Sequence, residues 1–479
     1  MKHTFTVFCR WVPVLAFGLS AATALAQVSS EAVLDAVPKA PEYQLERAKE
    51  DYRYLAEGSA VPHDFFDPIK FIPLSTTRKS YLSIGGEIRE QYQWLNHTSW
   101  GEGVEDHGGY LLQRYMLHAD AHFGTHFRVF GQLKSGLTTG KNAPPELTEE
   151  DRLDVHQAFV DVRVGSPEKD LTLRLGRQEM VYGSSRLVSL REGPNVRQTF
   201  DGARLMLHQP QSQLDAFVTR PATTKPGLFD DEPNRDVWFW GLYGVKRLAP
   251  LHGGLDLYYL GLDKAQSRFQ QGSAPERRHS VGARLWGTHQ AWRYNAEAVY
   301  QFGHFGTGDI RAWTASGEFG YALAALPWKP ELALRTEFIS GDRDPANRTL
   351  QTFNPLFPKG AYFGQIALVG PANLMDVHPM LLLHPPVGNN LSILLDWDFF
   401  WRASRADGFY TMPYVLERPG NPSQSRYIGD QMTIQADWDV HRHVQVELFL
   451  TYFHAGAFLQ QSGQGRDITF FSPRVTYRF

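Results

Sequence analysis

From Tyr81 to the C-terminus, apolar and polar residues alternate in segments of about 9 to 15 residues. That length suits a tilted strand crossing a membrane rather than the five or six residues of a globular sheet. In Leu171-Thr172-Leu173-Arg174-Leu175 the leucines share one face, and Thr172 and Arg174 share the other. Ala203-Arg204-Leu205-Met206-Leu207 and Val281-Gly282-Ala283-Arg284-Leu285 repeat the scheme. From Trp292 to Phe302, aromatic residues and alanines (Trp292, Tyr294, Ala296, Ala298, Tyr300, Phe302) fall on one face, with Arg293, Asn295, Glu297 and Gln301 opposite. Trp292 to Tyr300 spans roughly 26 Å along a strand, or about 20 Å vertically once tilted, comparable with an outward apolar band of ~25 Å between two aromatic girdles.

The connections alternate in length. Long loops at 96–109, 140–150, 183–198 and 221–234 are separated by short turns at 124–125, 165–169 and 209–212. The same rhythm continues through turns at 249–253, 288–290, 326–330, 384–390 and 439–442. Short turns at one end and long loops at the other mark an outer-membrane barrel, because a soluble sandwich has no reason to segregate them. The fold class is all-β: a transmembrane antiparallel up-and-down β-barrel of about 18 strands over residues 81–479. Ahead of it, residues 27–80 read as a periplasmic segment. Weak helical periodicity over 43–55 (Leu45, Ala48, Tyr52, Leu55) predicts a short helix, and Pro62, Pro68 and Pro73 predict an extended linker.

Composition sharpens this picture. Aromatic content of 13% beside a mean hydropathy of −0.36 requires apolar residues hidden by alternation. Residues 1–26 read as a cleavable leader: Lys2 and Arg10 are basic, 11–19 is apolar, and Ala24-Leu25-Ala26 supplies small residues at the cleavage site. The expected location is the outer membrane of a Gram-negative bacterium after Sec-type export. Cys9, the only cysteine, falls in the leader, which excludes disulfides and thiolate chemistry from the mature chain. Loss of the two basic leader residues takes the formal charge from −3 to −5, so nucleic acid is not an expected partner.

The chemistry lies in the polar phase of the strands. Arg174, Arg204 and Arg284 point inward mid-strand, and by the same phase so do Arg114, Arg128, Arg163 and Arg335. Arginine offers a fixed cation and a planar donor fork matched to carboxylate. Inward acids, among them Glu87, Asp120, Asp161, Asp215, Glu297, Glu318, Glu337, Asp396, Asp398 and Glu447, roughly balance the bases, so selectivity falls to a local cluster. The best candidate is the hairpin 171–207, where Arg174, Arg177, Arg186, Arg191, Arg197 and Arg204 face Glu179, Glu192 and Asp201. Folded inward, its loop would make a basic constriction. Strict alternation aims Arg177 at lipid, so either Gly176 marks a bulge or the strand has already left the bilayer. Loops 341–360 and 403–426 are long enough to cover the pore. The aspartates of Gly341-Asp342-Arg343-Asp344-Pro345 have poor spacing for Ca²⁺. His378, His384, His441 and His443 fall at turns or girdle positions without a carboxylate at ligand spacing, so neither a metal nor a cofactor is expected. No Gly-x-Ser-x-Gly elbow, zinc helix or phosphate loop is present.

Asp67-Pro68-Ile69-Lys70-Phe71-Ile72-Pro73-Leu74, Tyr81-Leu82-Ser83-Ile84-Gly85-Gly86-Glu87-Ile88-Arg89, Leu173-Arg174-Leu175-Gly176-Arg177-Gln178, Arg191-Glu192-Gly193-Pro194-Asn195-Val196-Arg197 and Phe353-Asn354-Pro355-Leu356-Phe357-Pro358-Lys359-Gly360 resemble the bacterial alginate-export family of outer-membrane proteins. The resemblance implies an eighteen-stranded barrel whose arginine-containing lumen conducts an anionic uronate polysaccharide. Terminal Phe479 on an alternating strand resembles the signal that barrels present to their assembly machinery. The expected function is a channel for export or diffusion of an alginate-like polysaccharide or its oligomers. Arg114, Arg128, Arg163, Arg174, Arg177, Arg191, Arg197, Arg204, Arg284, Arg335, Asp161 and Asp201 are its candidate pore-lining residues. The expected partners are membrane lipid, the solute, the assembly machinery and periplasmic export proteins. A general small-solute porin is the alternative reading, and a barrel enzyme or surface-binding protein is the alternative from another class.

Overall fold

The computed structural model describes residues 41–56, 63–166, 168–387, 390–412 and 414–479. The expected leader lies outside them. Eighteen long strands follow one another: β1 (Tyr81–Leu95), β2 (Tyr110–Phe123), β3 (Phe127–Thr139), β4 (Asp151–Ser166), β5 (Lys169–Gln178), β6 (Phe200–Gln209), β7 (Ser212–Thr223), β8 (Val237–Leu248) and β9 (Gly253–Phe269), then β10 (Gly272–His289), β11 (Trp292–Phe305), β12 (Gly308–Ala322), β13 (Glu331–Ile339), β14 (Leu374–Leu383), β15 (Leu391–Arg402), β16 (Tyr427–His441), β17 (Val444–Ala455) and β18 (Ile468–Arg478). Each pairs antiparallel with its chain neighbours. The sheet closes where β1 meets β18, with Glu87 opposite Arg478 and Gln91 opposite Arg474. Closure leaves no sheet edge, which is what the hydrocarbon region demands of strands. Leu171, Leu173 and Leu175 stay 37–44% exposed on the outer face, where lipid would cover them.

Two of the long loops turn inward. The 179–199 loop between β5 and β6 and the 340–373 loop between β13 and β14 meet inside the barrel. There the Phe357 N–H donates to the Leu187 carbonyl (2.9 Å) and the Lys359 N–H to that of Ser185 (3.0 Å). They are held by inward aromatics of the wall. Phe357 stacks edge-on against Phe200 and Phe239, and Tyr182 lies face to face with Tyr243, 4.6 Å between ring centroids. The hydrophobic core therefore sits inside the barrel, built from loop and wall together.

Residues 41–56 depart from expectation. The segment forms two 3₁₀ turns, Arg47–Lys49 and Arg53–Ala56, rather than one helix, and a helical turn appears instead at Asp67–Lys70. The reason is competition for carbonyls. The Leu45 and Ala48 oxygens accept from the barrel arginines Arg197 (3.4 Å) and Arg128 (2.8 Å), and Glu46 gives no side-chain cap. Arg47 in turn donates to the Gly86 and Phe479 carbonyls, 2.9 Å each, which fastens the segment across the inner, turn-side end of the barrel.

Candidate functional site

Alternation on β3 to β7 brings a row of arginines onto the inner wall. Arg128 forks onto Asp120 (2.7 Å to each oxygen). Arg174 forks onto Asp161 (2.7 and 2.8 Å) with its guanidinium 3.7 Å above the Phe159 ring. Arg204 grips Asp215 (2.9 Å through Nε) and lies 5.1 Å from the Tyr182 ring. Arg163 reaches Thr172 (3.3 Å) and Asp170 (3.4 Å). Between this row and the 41–56 segment lies a cavity of about 500 Å³, to which Arg128, Arg163, Arg174, Arg204, Lys49 and Arg53 all contribute. In Arg174 and Arg204 the wall acid takes the Nε–Nη2 edge.

Deeper in the lumen the 179–199 loop builds a second cluster around Glu87, which is 2% exposed. Glu87 accepts from Arg114 and Arg478 (3.0 Å each through Nε), with Arg197 at 3.7 Å. Glu192 at the loop tip pairs with Arg114 and Arg197, and Arg89 donates to the Glu192 and Pro194 carbonyls (2.9 and 2.8 Å). Around the ring, Arg284 holds Asp256 (2.9 Å), and Arg335 lies 2.5 Å from Nδ1 of His378. Arg191, in left-handed backbone at φ 58°, keeps a buried Nε without a hydrogen-bond partner.

Arg177 and Asp201, expected to line the pore, are the exceptions. They pair with each other (2.9 Å) on the phase of the exposed Leu175 and Leu205, and Arg177 also reaches the carbonyl of Asp231 in the 224–236 loop. Gly176 (φ 129°) and Gly202 (φ 158°) stand opposite one another beside that pair. The ladders of β5 with β4 and β6 run through Gly176 without a register shift, so no bulge re-aims Arg177.

Sequence reasoning missed Arg89, which shares the period-two phase of the recognised inward Glu87, and Arg478, which stands on the opposite phase to the terminal Phe479. It also set His378 aside. In the folded chain that residue stands among Asp376, two residues before it on β14, and Asp396 and Asp398, which the register of β15 brings alongside. In the outer loop, Asp342 and Asp407 serve backbone and hydroxyl donors, and burial together with Asp407 pushes the Asp342 carboxyl up to about 6.

Lys70, 2% exposed, places an amine without a hydrogen-bond partner among the Tyr43, Tyr52 and Phe479 rings, 5.0–6.0 Å from their centroids. Burial, reinforced by Arg47, pushes it down to about 7 from 10.5. A base that titrates lower when docked holds its segment least firmly below pH 7 and more firmly as pH rises between those two values. Hydrogen exchange over residues 41–56 is expected to slow from pH 7 to pH 9 beyond the intrinsic correction. Lys70→Met should remove that dependence, and an unchanged pH profile in the variant would refute the assignment.

A family model described as "Alginate export" matches residues 80–470. No curated protein sequence matches the chain. Among solved structures it is similar to the BenF-like porin of Pseudomonas fluorescens Pf-5 (12% identity, TM-score 0.56, covering 83% of this chain and 98% of that one). It is also similar to OccK3 (OpdO) of Pseudomonas aeruginosa (13%, 0.53, 83% and 95%) and to OccK2 (OpdF) of the same organism, solved with glucuronate (12%, 0.52, 85% and 99%). At such identities these likenesses speak for the fold. The family match spans most of the closed eighteen-stranded barrel, and the chain accordingly belongs to the alginate export family of outer-membrane channels.

Proposed function

We propose that the protein passes an anionic, uronate-type polysaccharide or its oligomers across the outer membrane, with the arginine row of the 500 Å³ cavity as the contact surface. The carrying observation is the geometry of that row. Asp161 and Asp215 hold Arg174 and Arg204 by one edge, and both arginines line the cavity. A guanidinium preset in this way can receive a second carboxylate without reorganising, while the first partner keeps the interaction weak enough to release it. Successive uronate carboxylates could then pass from one arginine to the next. The glucuronate bound by OccK2 is a ligand of this chemical class. Lipid surrounds the outer face, and the assembly machinery meets the C-terminal strand ending at Phe479.

Planar bilayers test the proposal. Wild-type channels should prefer anions and be blocked by oligouronates. Arg174→Ser with Arg204→Ser should raise the blocking concentration about tenfold, the equivalent of ~1.4 kcal/mol. Cation preference without block would sink the proposal. It would favour a small-solute porin, the reading suggested by the pairing of so many luminal arginines with acids.

A further inference from the structure

Among the described residues stand two acidic trios, and they differ in one respect. Asp151, Asp154 and Asp231 enclose the Lys134 ammonium, 2.7 Å from Asp151 and 2.8 Å from Asp231, so the chain supplies its own cation there. In the other trio, Asp376 and His378 on β14 and Asp398 on β15 each offer a ligand atom, all within 4.8 Å of one another. These three side chains are at most 2% exposed, and neither oxygen of Asp376 or of Asp398 has a hydrogen-bond partner. A buried carboxylate without a donor is costly unless a cation compensates it.

The neighbouring groups do not fill that role for Asp376. His378 touches Asp396 through Nε2 and Asp398 through Nδ1, but Arg335 also points at Nδ1 from 2.5 Å. While Nδ1 accepts from Arg335 it carries no proton for Asp398, which is paired only in the other tautomer, and Asp376 has no donor in either tautomer. No ion pair within 4 Å joins Arg335 to Asp376 or Asp398 among the described residues. Arg186 is taken by Glu337 (3.0 Å), Glu318 (3.6 Å) and Glu297 (3.3 Å). The ladder is also interrupted here. Pairing between β14 and β15 runs to Val377 opposite Phe399 and resumes at Met380 opposite Asp396, skipping His378 and Pro379. Proline has no N–H to give, so backbone hydrogen bonding does not secure the two strands at that level.

We propose that Asp376, His378 and Asp398, with Asp396 beside them, form a structural site for one first-row divalent cation that staples β14 to β15 across the gap. Carboxylates combined with an imidazole suit Zn²⁺ or Mn²⁺, whereas Ca²⁺ prefers an all-oxygen shell. As a ligand the histidine must be neutral, and metal uptake then supplies the positive charge beside Asp376 and Asp398.

The test uses the full barrel extracted from outer membranes, stripped with a chelator and titrated with Zn²⁺ or Mn²⁺. The readouts are metal content by mass spectrometry and the heat-modifiability midpoint on gels. About one equivalent should bind per chain and raise the midpoint. Asp376→Asn with Asp398→Asn should abolish uptake while still giving a heat-modifiable barrel, and His378→Gln should weaken uptake should the double variant not assemble. Asp151→Asn, in the lysine-filled trio, should bind as the wild type does. Failure of the wild type to take up either metal would overturn the proposal and leave a protonated Asp376 as the explanation. Retention of the equivalent by the double variant or by His378→Gln would overturn it equally.

Discussion

Replacing residues 184–198 by a short glycine–serine link is expected to raise single-channel conductance several-fold. That loop carries Arg186, Glu192 and Arg197 to the middle of the lumen and supplies the Ser185, Leu187 and Gly193 carbonyls on which the 340–373 loop rests. Removing it withdraws one obstruction and unfastens the other. Val188 and Leu190, each 1% exposed, pack inside the barrel, so the loop is locked in place rather than hanging at the mouth. The wall's backbone ladders do not pass through it; those on both sides of the loop are complete from strand to strand. Heat-modifiable gel mobility should confirm a folded barrel before conductance is measured in planar bilayers. A conductance within twofold of wild type would mean that the loop does not set the channel's width.

The wall of this protein is legible in its sequence and the contents of the wall are not, for a physical reason. Lipid and water impose opposite demands on successive residues, so period-two phase predicts strands, turns and most inward arginines. Inside the lumen no such rule operates, since an inward residue meets water, a loop or another strand's charge. The segment Val237-Trp238-Phe239-Trp240-Gly241-Leu242-Tyr243 shows the difference. It is apolar on both faces, with Trp238 and Leu242 exposed outward and Phe239 and Tyr243 buried inward against the loops. An inward aromatic is thus the trace a plugging loop leaves on the strand it touches, and it could have located the plug. Of the acids around His378, Asp376 lies two residues away on the same face of β14 and was open to reading, whereas Asp396 and Asp398 arrive from β15 by register, which the sequence does not show. The pair Arg177–Asp201 marks the limit of phase itself: two charges stand on the outward phase and satisfy each other there.

Glu87→Gln is expected to cost about 3–5 kcal/mol of barrel stability, the range for removing one partner from a buried ion cluster. The side chain is 2% exposed and faces Arg114, Arg478 and Arg197, with Arg89 on the same strand and phase. Glu192 can still serve Arg114 and Arg197, because it already pairs with both. Arg478 has no second ion pair within 4 Å among the described residues; its other side-chain hydrogen bond there is to Gln445 (3.1 Å). Arg478 stands opposite Glu87 at the β1–β18 seam, and Arg47 of the N-terminal segment bonds the Gly86 and Phe479 carbonyls beside that pair. The loss should therefore fall on barrel closure, which is the last ladder formed along the chain and the one with no local sequence partner. Asp263→Asn provides the control: its pair with Arg277 is exposed, and its loss should change stability by less than about 1 kcal/mol. Urea unfolding midpoints in detergent, read by heat-modifiable mobility, compare the two. A Glu87→Gln shift no larger than that of Asp263→Asn would show that the seam does not depend on this carboxylate.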